Sequence, residues 1–274
     1  MFAYAVPQRL CGIIGHPLGH SLSPLLHNKA FALRQLSFVY MAWPLEPEKL
    51  DDFVTAVRTL PITGVSVTIP HKQAVMEHLD GISNRARRVG AVNTLHWRDD
   101  RLLGENTDVT GFMDSIHHLE TPQTALVLGA GGAARAAVAG LQELGVPTVL
   151  VSNRTAERAE SISRDLGCRT VPWDDRHTTE ATLIVNATPL GMTGKHLELS
   201  PYPADAFHPG VTACDLIYNP EQTRFLQDAQ AAGAETVGGL EMFIRQAAEQ
   251  FHLWTTDHMD LEHARIVVRA ALES

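Results

Sequence analysis

The 274 residues carry 22 Lys and Arg against 31 Asp and Glu, a formal net charge of -9, and are 45% hydrophobic and 19% charged. That length supports two domains, each with its own core, and the acidic balance, with no basic run to neutralise phosphates, excludes a nucleic-acid partner. No apolar run reaches the length of a membrane span, and residues 1–7 lack a basic region leading into a long apolar segment, so no membrane partner is expected and the chain reads as cytoplasmic.

Cys11, Cys168 and Cys214 are odd in number, widely spaced and set among apolar residues. They read as reduced, buried thiols rather than as a disulfide framework or metal site. Among the 14 histidines the closest pairs are His16 with His20 and His117 with His118. Neither pair has Cys or carboxylate companions at ligand spacing, and Pro17 and Gly19 disfavour the helix that would align the first, so no metal is expected.

In chain order, residues 10–15 form a short apolar run ending at a Gly/Pro-rich loop, which predicts a buried strand. Residues 24–33 have helical periodicity with proline near the start. A strand at 38–43, a helix at 48–59 with Leu50, Phe53 and Val57 on one face, and a strand at 64–69 stopped by Pro70 follow. A helix over 71–79, a hairpin-like pair at 91–96 and 101–104, and a helix from Asp108 complete a first unit. A second begins near Gln123 and continues through apolar strands at 148–152, 183–187, 211–217 and 235–237 separated by helical sequence. Residues 242–251 and 261–272 are helical with no strand to accompany them, so they are expected to fold back onto the first unit. The alternation predicts an α/β fold with mainly parallel sheets.

In the second unit, Val127 and Leu128 run straight into Gly129, Ala130, Gly131 and Gly132, and then into the Ala-rich helical sequence from Ala133. This is the pattern of a dinucleotide-binding turn. Gly129 permits the tight turn, Gly131 has no side chain to hold a pyrophosphate away from the helix N–H groups, and Ala134 allows close packing of helix on strand. The bland alternative is a tight strand-to-helix turn with no ligand. The next strand ends in Asn153, Arg154 and Thr155, close to where an NAD-binding unit places a carboxylate for the ribose 2′-hydroxyl. A guanidinium flanked by amide and hydroxyl donors binds a 2′-phosphate instead, which favours NADP; a solvated loop arginine is the competing account.

In the first unit, Ser21 and Ser23 stand where a loop opens a helix, so that hydroxyls and helix N–H groups can converge on a carboxylate; plain capping by Ser23 ahead of Pro24 is the other reading. Lys72 lies just beyond a buried strand end, where open α/β sheets bind ligands. Asp108 reads as an N-cap, yet Asn106 and Thr107 make an unusually polar helix start.

The order of these pieces resembles the shikimate dehydrogenase family over nearly the whole chain. The resemblance is carried by Gly12-Ile-Ile-Gly15 with His20-Ser-Leu-Ser-Pro24, Val65-Ser-Val-Thr-Ile-Pro-His-Lys72, Gly90-Ala-Val-Asn-Thr94 and Gly104-Glu-Asn-Thr-Asp108 in the first unit. In the second it is carried by Gly129-Ala-Gly-Gly132, Asn153-Arg-Thr155, Asn186-Ala-Thr-Pro-Leu-Gly191, Asp215-Leu-Ile-Tyr-Asn-Pro220, and Gly238-Gly-Leu240 leading to Gln246. The family interconverts 3-dehydroshikimate and shikimate with NADP(H) in aromatic amino-acid biosynthesis, so that reaction is implied here. The resemblance implies Lys72 and Asp108 as the catalytic pair. It implies Ser21, Ser23, Thr68, Asn93, Tyr218 and Gln246 as substrate ligands, and Gly129, Ala130, Gly131, Gly132, Ala133, Asn153, Arg154, Thr155, Thr188, Met192 and Gly239 as the NADP(H) site. It further implies a substrate domain at 1–114, a Rossmann-type domain at 115–241, and C-terminal helices at 242–274 returning to the substrate domain. The expected state is a monomer or homodimer acting on a small molecule. Glu241 departs from the small residue many relatives carry. Lys72 can protonate the oxygen formed by hydride transfer to a ketone; for oxidation, either Asp108 is the base or the two share the proton.

Two rivals remain. One is an NAD-preferring quinate/shikimate dehydrogenase, against which Arg154 and Ser23 speak. The other is a catalytically silent NADP-binding regulator, against which the presence of both Lys72 and Asp108 speaks.

Overall fold

The computed structural model describes residues 7–19, 21–194 and 196–273. The expectations that concern residues 1–6 and His20 lie outside the described residues. The chain forms two compact units, one running up to Thr107 and resuming at Ala247, the other Asp108–Gln246. The expected divisions at 114/115 and 241/242 fall inside helices, given below as α4 and α8.

The first unit opens with β1 (Arg9–Gly15), α1 (Ser23–Leu33), β2 (Phe38–Pro44), α2 (Leu50–Thr59) and β3 (Ile62–Val67). It continues with β4 (Gly81–Ile82), α3 (Asn84–Val89), β5 (Thr94–Arg98) and β6 (Arg101–Glu105). Its sheet has the order β2-β1-β3-β5-β6-β4. β1 pairs in parallel with β2 and β3, whereas β5 pairs antiparallel with both β3 and β6. The sheet is therefore mixed. The β5–β6 hairpin closes through Asp99 and Asp100, both at positive φ (50° and 58°), as tight two-residue hairpin turns require. Ile14, Val54, Val57, Val65, Val67, Val92, Leu95 and Leu102 form the core.

Two local expectations are corrected. Residues 71–79 are a turn followed by a short 3-10 helix, Ala74–His78, with Val75 alone fully buried; without an apolar stripe there is little to hold an α-helix against the sheet. Over 48–59 a 3-10 turn, Pro47–Lys49, precedes α2, whose buried residues are Leu50, Val54 and Val57, with Phe53 only partly buried.

The second unit contains α4 (Thr107–Ile116), β7 (Thr124–Leu128), α5 (Gly132–Glu143), β8 (Thr148–Ser152), α6 (Ala156–Leu166) and β9 (Arg169–Thr170). It is completed by β10 (Leu183–Asn186), β11 (Thr212–Asp215), α7 (Arg224–Ala231), β12 (Glu235–Val237) and the start of α8 (Gly239–Thr255). All strands are parallel in the order β12-β11-β10-β7-β8-β9, so β10, β11 and β12 run outward from β7 on one side and β8 and β9 on the other. This is the doubly wound, Rossmann-type sheet. Period-two alternation buries both faces: Ala125 and Val127 meet Ala134, Ala137 and Leu141 of α5, while Leu126 and Leu128 share a cluster with Phe225 of α7.

The rest of α8 and α9 (Leu261–Leu272) belong to the first unit, where α9 lies on α1, with Met259 and Ala264 beside Leu26 and Ala30. Cys11, Cys168 and Cys214 are buried free thiols. Burial pushes Cys11 up to about 12 and raises the other two as well.

Candidate functional site

In the first unit, the parallel neighbours β1 and β3 end side by side, and the candidate ligands follow those ends. Ser23 is the first residue of α1 and is buried. The N-cap is Leu22, with no side-chain bond, and Ser21 Oγ accepts from the Ser23 N–H at 3.3 Å. Capping by Ser23 is thus not what the structure shows. The Thr68 N–H donates to the Ile14 carbonyl (2.9 Å), fixing Thr68 beside the β1 end. The turn carrying Lys72 is anchored by His71, a buried imidazole whose Nε2–H donates to the Leu45 carbonyl at 2.8 Å. Two backbone bonds then stitch this turn to the next segment: the Val92 N–H donates to the Lys72 carbonyl (2.7 Å), and the Val67 N–H to the Asn93 carbonyl (2.7 Å). Ser21, Ser23, Thr68, Lys72 and Asn93 therefore gather at one end of the sheet.

Asn93 is held closely. Its Oδ1 accepts from the Thr107 N–H (2.7 Å) and from Thr94 Oγ1 (2.8 Å), while its Nδ2 donates to Thr107 Oγ1 (3.0 Å). Because a backbone N–H can only donate, the orientation of this amide is settled. Asp108 is the second residue of α4 and is 8% exposed, not the N-cap. A carboxylate in a first helical turn is favoured by the dipole. Asn106, fully buried, anchors the approach by donating to the Ala91 carbonyl at 2.9 Å.

In the second unit every candidate lies at or beyond a strand's C-terminal end. Gly129 follows β7, donates its N–H to the Ser152 carbonyl (2.8 Å) and has φ of 115°. A Cβ there would meet the Ala187 carbonyl oxygen at 2.7 Å, so both backbone conformation and space demand glycine. At Gly131 a Cβ would meet nothing within 4 Å. That glycine faces open space ahead of Gly132, Ala133 and the N–H groups of α5, with no side chain capping the helix. The residues thus fit an anionic pyrophosphate at the β7–α5 turn, beside Ala130. Beyond β8, Asn153 Nδ2 donates to the Thr155 carbonyl (2.9 Å), while Arg154 and Thr155 are exposed.

Beyond β10, Asn186 Oδ1 accepts from both the N–H (2.9 Å) and the hydroxyl (2.7 Å) of Thr188. Met192 is 45% exposed in a turn whose next residue, Thr193, bonds to Asn219. Gly239 starts α8, where a Cβ would lie 2.6 Å from the Ile217 carbonyl oxygen. Tyr218 stacks on Phe243 with ring centroids 4.2 Å apart, and Gln246 Nε2 donates to the Phe243 carbonyl at 2.8 Å. Glu241 accepts from Arg245 Nε at 3.3 Å, which gives that carboxylate a partner one turn along the helix. Beneath the β10 and β11 ends, the buried Asp215 carboxylate is raised to about 6 by desolvation, against donation from Thr223, Ile217 and Asn186.

The sequence reading overlooked a buried polar set behind Asn93: Tyr40, Ser66, Thr94 and Gln250. The available signal was Ser66, a polar residue between the buried Val65 and Val67.

Among known proteins, residues 13–95 match the family description "Shikimate dehydrogenase substrate binding domain", 114–189 "Shikimate / quinate 5-dehydrogenase" and 239–265 "Shikimate 5'-dehydrogenase C-terminal domain". The chain is 49% identical over 272 residues, 98% of each chain, to shikimate dehydrogenase (NADP(+)) of Oleidesulfovibrio alaskensis. It superposes with TM-score 0.88 and 40% identity, covering 96% and 99% of the two chains, on the Thermus thermophilus shikimate 5-dehydrogenase in complex with NADP(H) and shikimate. A quinate dehydrogenase from Corynebacterium glutamicum in complex with NAD matches with the same TM-score of 0.88 at 28% identity, covering 96% and 99%.

Proposed function

The chain belongs to the shikimate dehydrogenase family, and we propose that it catalyses the reversible NADPH-dependent reduction of 3-dehydroshikimate to shikimate, in the pathway to chorismate and the aromatic amino acids. The observation that carries the reading is the combination in one chain of a glycine turn facing open space, followed at the next strand end by the exposed Arg154, with Lys72 stitched through the backbone to Val92, the neighbour of Asn93. Gly129 to Ala133 take the pyrophosphate on the α5 N–H groups, and Asn153, Arg154 and Thr155 take the 2′-phosphate, for which a guanidinium is better suited than the carboxylate of NAD enzymes. Thr188, Met192 and Gly239 border the nucleotide.

NADPH, when bound, supplies the hydride that reduces the ketone. Lys72 stabilises the negative charge that builds on the ketone oxygen and delivers the proton that completes the alcohol. In the oxidation direction the alcohol proton leaves through Lys72 and Asp108. Ser21, Ser23, Thr68, Asn93, Tyr218 and Gln246 bind the substrate carboxylate and ring hydroxyls. Supported by the charge balance and the buried thiols, the protein is read as a cytoplasmic monomer or homodimer with neither nucleic acid nor membrane as partner; no helix among the described residues is long and apolar enough to cross a membrane.

The test is the rate of NADPH formation from shikimate and NADP+ at mildly alkaline pH, beside the other three pairings of shikimate or quinate with NADP+ or NAD+. The highest kcat/KM is expected for shikimate with NADP+. Quinate with NAD+ coming out best would move the chain to the sister activity, and cofactor binding without turnover on any pair would make it a silent regulator.

A further inference from the structure

Gln250 lies on α8 one helical turn beyond Gln246 and is 2% exposed. Ser66 Oγ donates to its Oε1 at 2.7 Å. Its Nε2 donates to Thr94 Oγ1 at 3.0 Å and, more weakly, to the Asn93 carbonyl at 3.4 Å. Chemistry on both sides fixes which way this amide faces. The Tyr40 hydroxyl donates to Ser66 Oγ at 2.7 Å, which commits the serine's own proton to Gln250. The Asn93 carbonyl can only accept, so the amide NH2 must face it. Thr94, having accepted from Gln250, donates to Asn93 Oδ1 at 2.8 Å.

The result is a one-way series of donors, Tyr40 to Ser66 to Gln250 to Thr94 to Asn93, with every member buried. The series ends on Asn93, a residue assigned to the substrate. Neutral donors arranged in one sense polarise one another, and in a buried setting each is costly to leave unmade.

We infer that Gln250 is a positioning residue for substrate recognition: through Thr94 it holds the Asn93 amide with its carbonyl turned into the protein and its NH2 edge as the hydrogen-bond donor. The inference rests on Asn93 being a substrate ligand. It assigns to Asn93 a substrate oxygen that accepts, a ring hydroxyl or ketone oxygen rather than a donating group. Thr107 alone does not complete this arrangement, because without Thr94 the Asn93 oxygen keeps only the Thr107 N–H and the longer Thr107 Oγ1 contact at 3.3 Å, and Gln250 loses its firmer acceptor.

Thr94→Val deletes the central hydroxyl at nearly constant shape, and Thr94→Ser keeps it. Thr94→Val is expected to raise KM for shikimate about fivefold or more, an effect of the size of one lost hydrogen bond, with kcat little changed and NADPH affinity, read by cofactor fluorescence without substrate, equal to the parent. Thr94→Ser is expected to bring KM back to within about twofold, and Gln250→Leu to repeat the Thr94→Val pattern. Should Gln250→Leu fail to fold, the Thr94 pair still decides. Asn93→Ala is the control. If it raises KM for shikimate while Thr94→Val does not, or if Thr94→Ser fails to restore KM, the series has no positioning role; if Asn93→Ala itself leaves KM unchanged, the substrate-site reading fails, and the inference with it.

Discussion

The first unit buries neutral polar side chains in series, whereas the second gathers donors from Asn186, Thr223 and Ile217 onto one buried carboxylate, Asp215. Both arrangements sit at strand ends, next to residues assigned to ligands. The neutral series fixes amide and hydroxyl orientations without placing a charge beside Lys72 and Asn93. The carboxylate instead ties β10 to β11 through Asn186, which in turn holds Thr188, a residue assigned to the nucleotide. The difference separates what the two regions must do: one presents hydrogen-bonding edges to a small polyhydroxylated acid, the other braces loops around a larger anionic cofactor.

If that separation holds, damage to one region leaves the other region's constants intact. The largest effect is expected for Lys72→Ala, which should lower kcat by roughly a hundredfold or more, the scale of a lost general acid/base, with NADPH affinity nearly that of the parent. Near-normal turnover would remove Lys72 from the mechanism. Arg154→Ala should raise KM for NADP+ about tenfold or more, as expected for the loss of a charge-assisted bond to phosphate, with KM for NAD+ and for shikimate little altered. An equal effect on both cofactors would show that Arg154 does not read the 2′-phosphate.

The smallest effect concerns pH. His27, fully buried in the first unit against Tyr40 and Trp254, is lowered to about 3 by desolvation. An imidazole depressed in the folded state binds its proton more readily when unfolded, so its contribution is present above the unfolded value near 6.5 and is lost as pH falls toward 3. Asp215 is raised from 3.8 to about 6, so its contribution is present below 3.8 and is lost as pH rises through 6. Between about pH 4 and 6 the two slopes oppose each other, each at most on the order of 1 kcal/mol per pH unit. Denaturant titrations across that window should show a nearly flat parent, stability falling with rising pH for His27→Phe, and stability rising with pH for Asp215→Asn. Two variants with the parent's slope would mean that neither group titrates as its burial dictates.

The readability of the chain divides along similar lines. The β7–α5 turn is legible because its demands are local: apolar strand, Gly129 at positive φ, Gly131 against open space. Lys72 is legible for a similar reason, standing shortly beyond the end of β3 at Val67. The helix expected at 71–79 failed because Val75 is the one fully buried apolar residue there, too little for an amphipathic stripe. α3 escaped notice because its six residues, mostly polar, depend on caps: Ser83 Oγ accepts from the Ala86 N–H, and Gly90 closes the helix in the left-handed conformation. The Ser66–Gln250 and Thr94–Gln250 bonds span 184 and 156 residues, and no local pattern links such partners. Ser23 and Asp108 read as caps because short polar side chains suit that position; the backbone places each inside its helix instead.

The three cysteines give the molecule its own clock. Cys11 lies in the first unit, Cys168 and Cys214 in the second, and each thiol is shielded and held in its unreactive protonated form. A thiol reagent can therefore attack only during transient opening, and the order in which the three sulfurs are tagged reports which unit breathes first. Mass spectrometry on the parent chain, with no label engineered in, can follow how substrate or cofactor slows the opening of each unit separately.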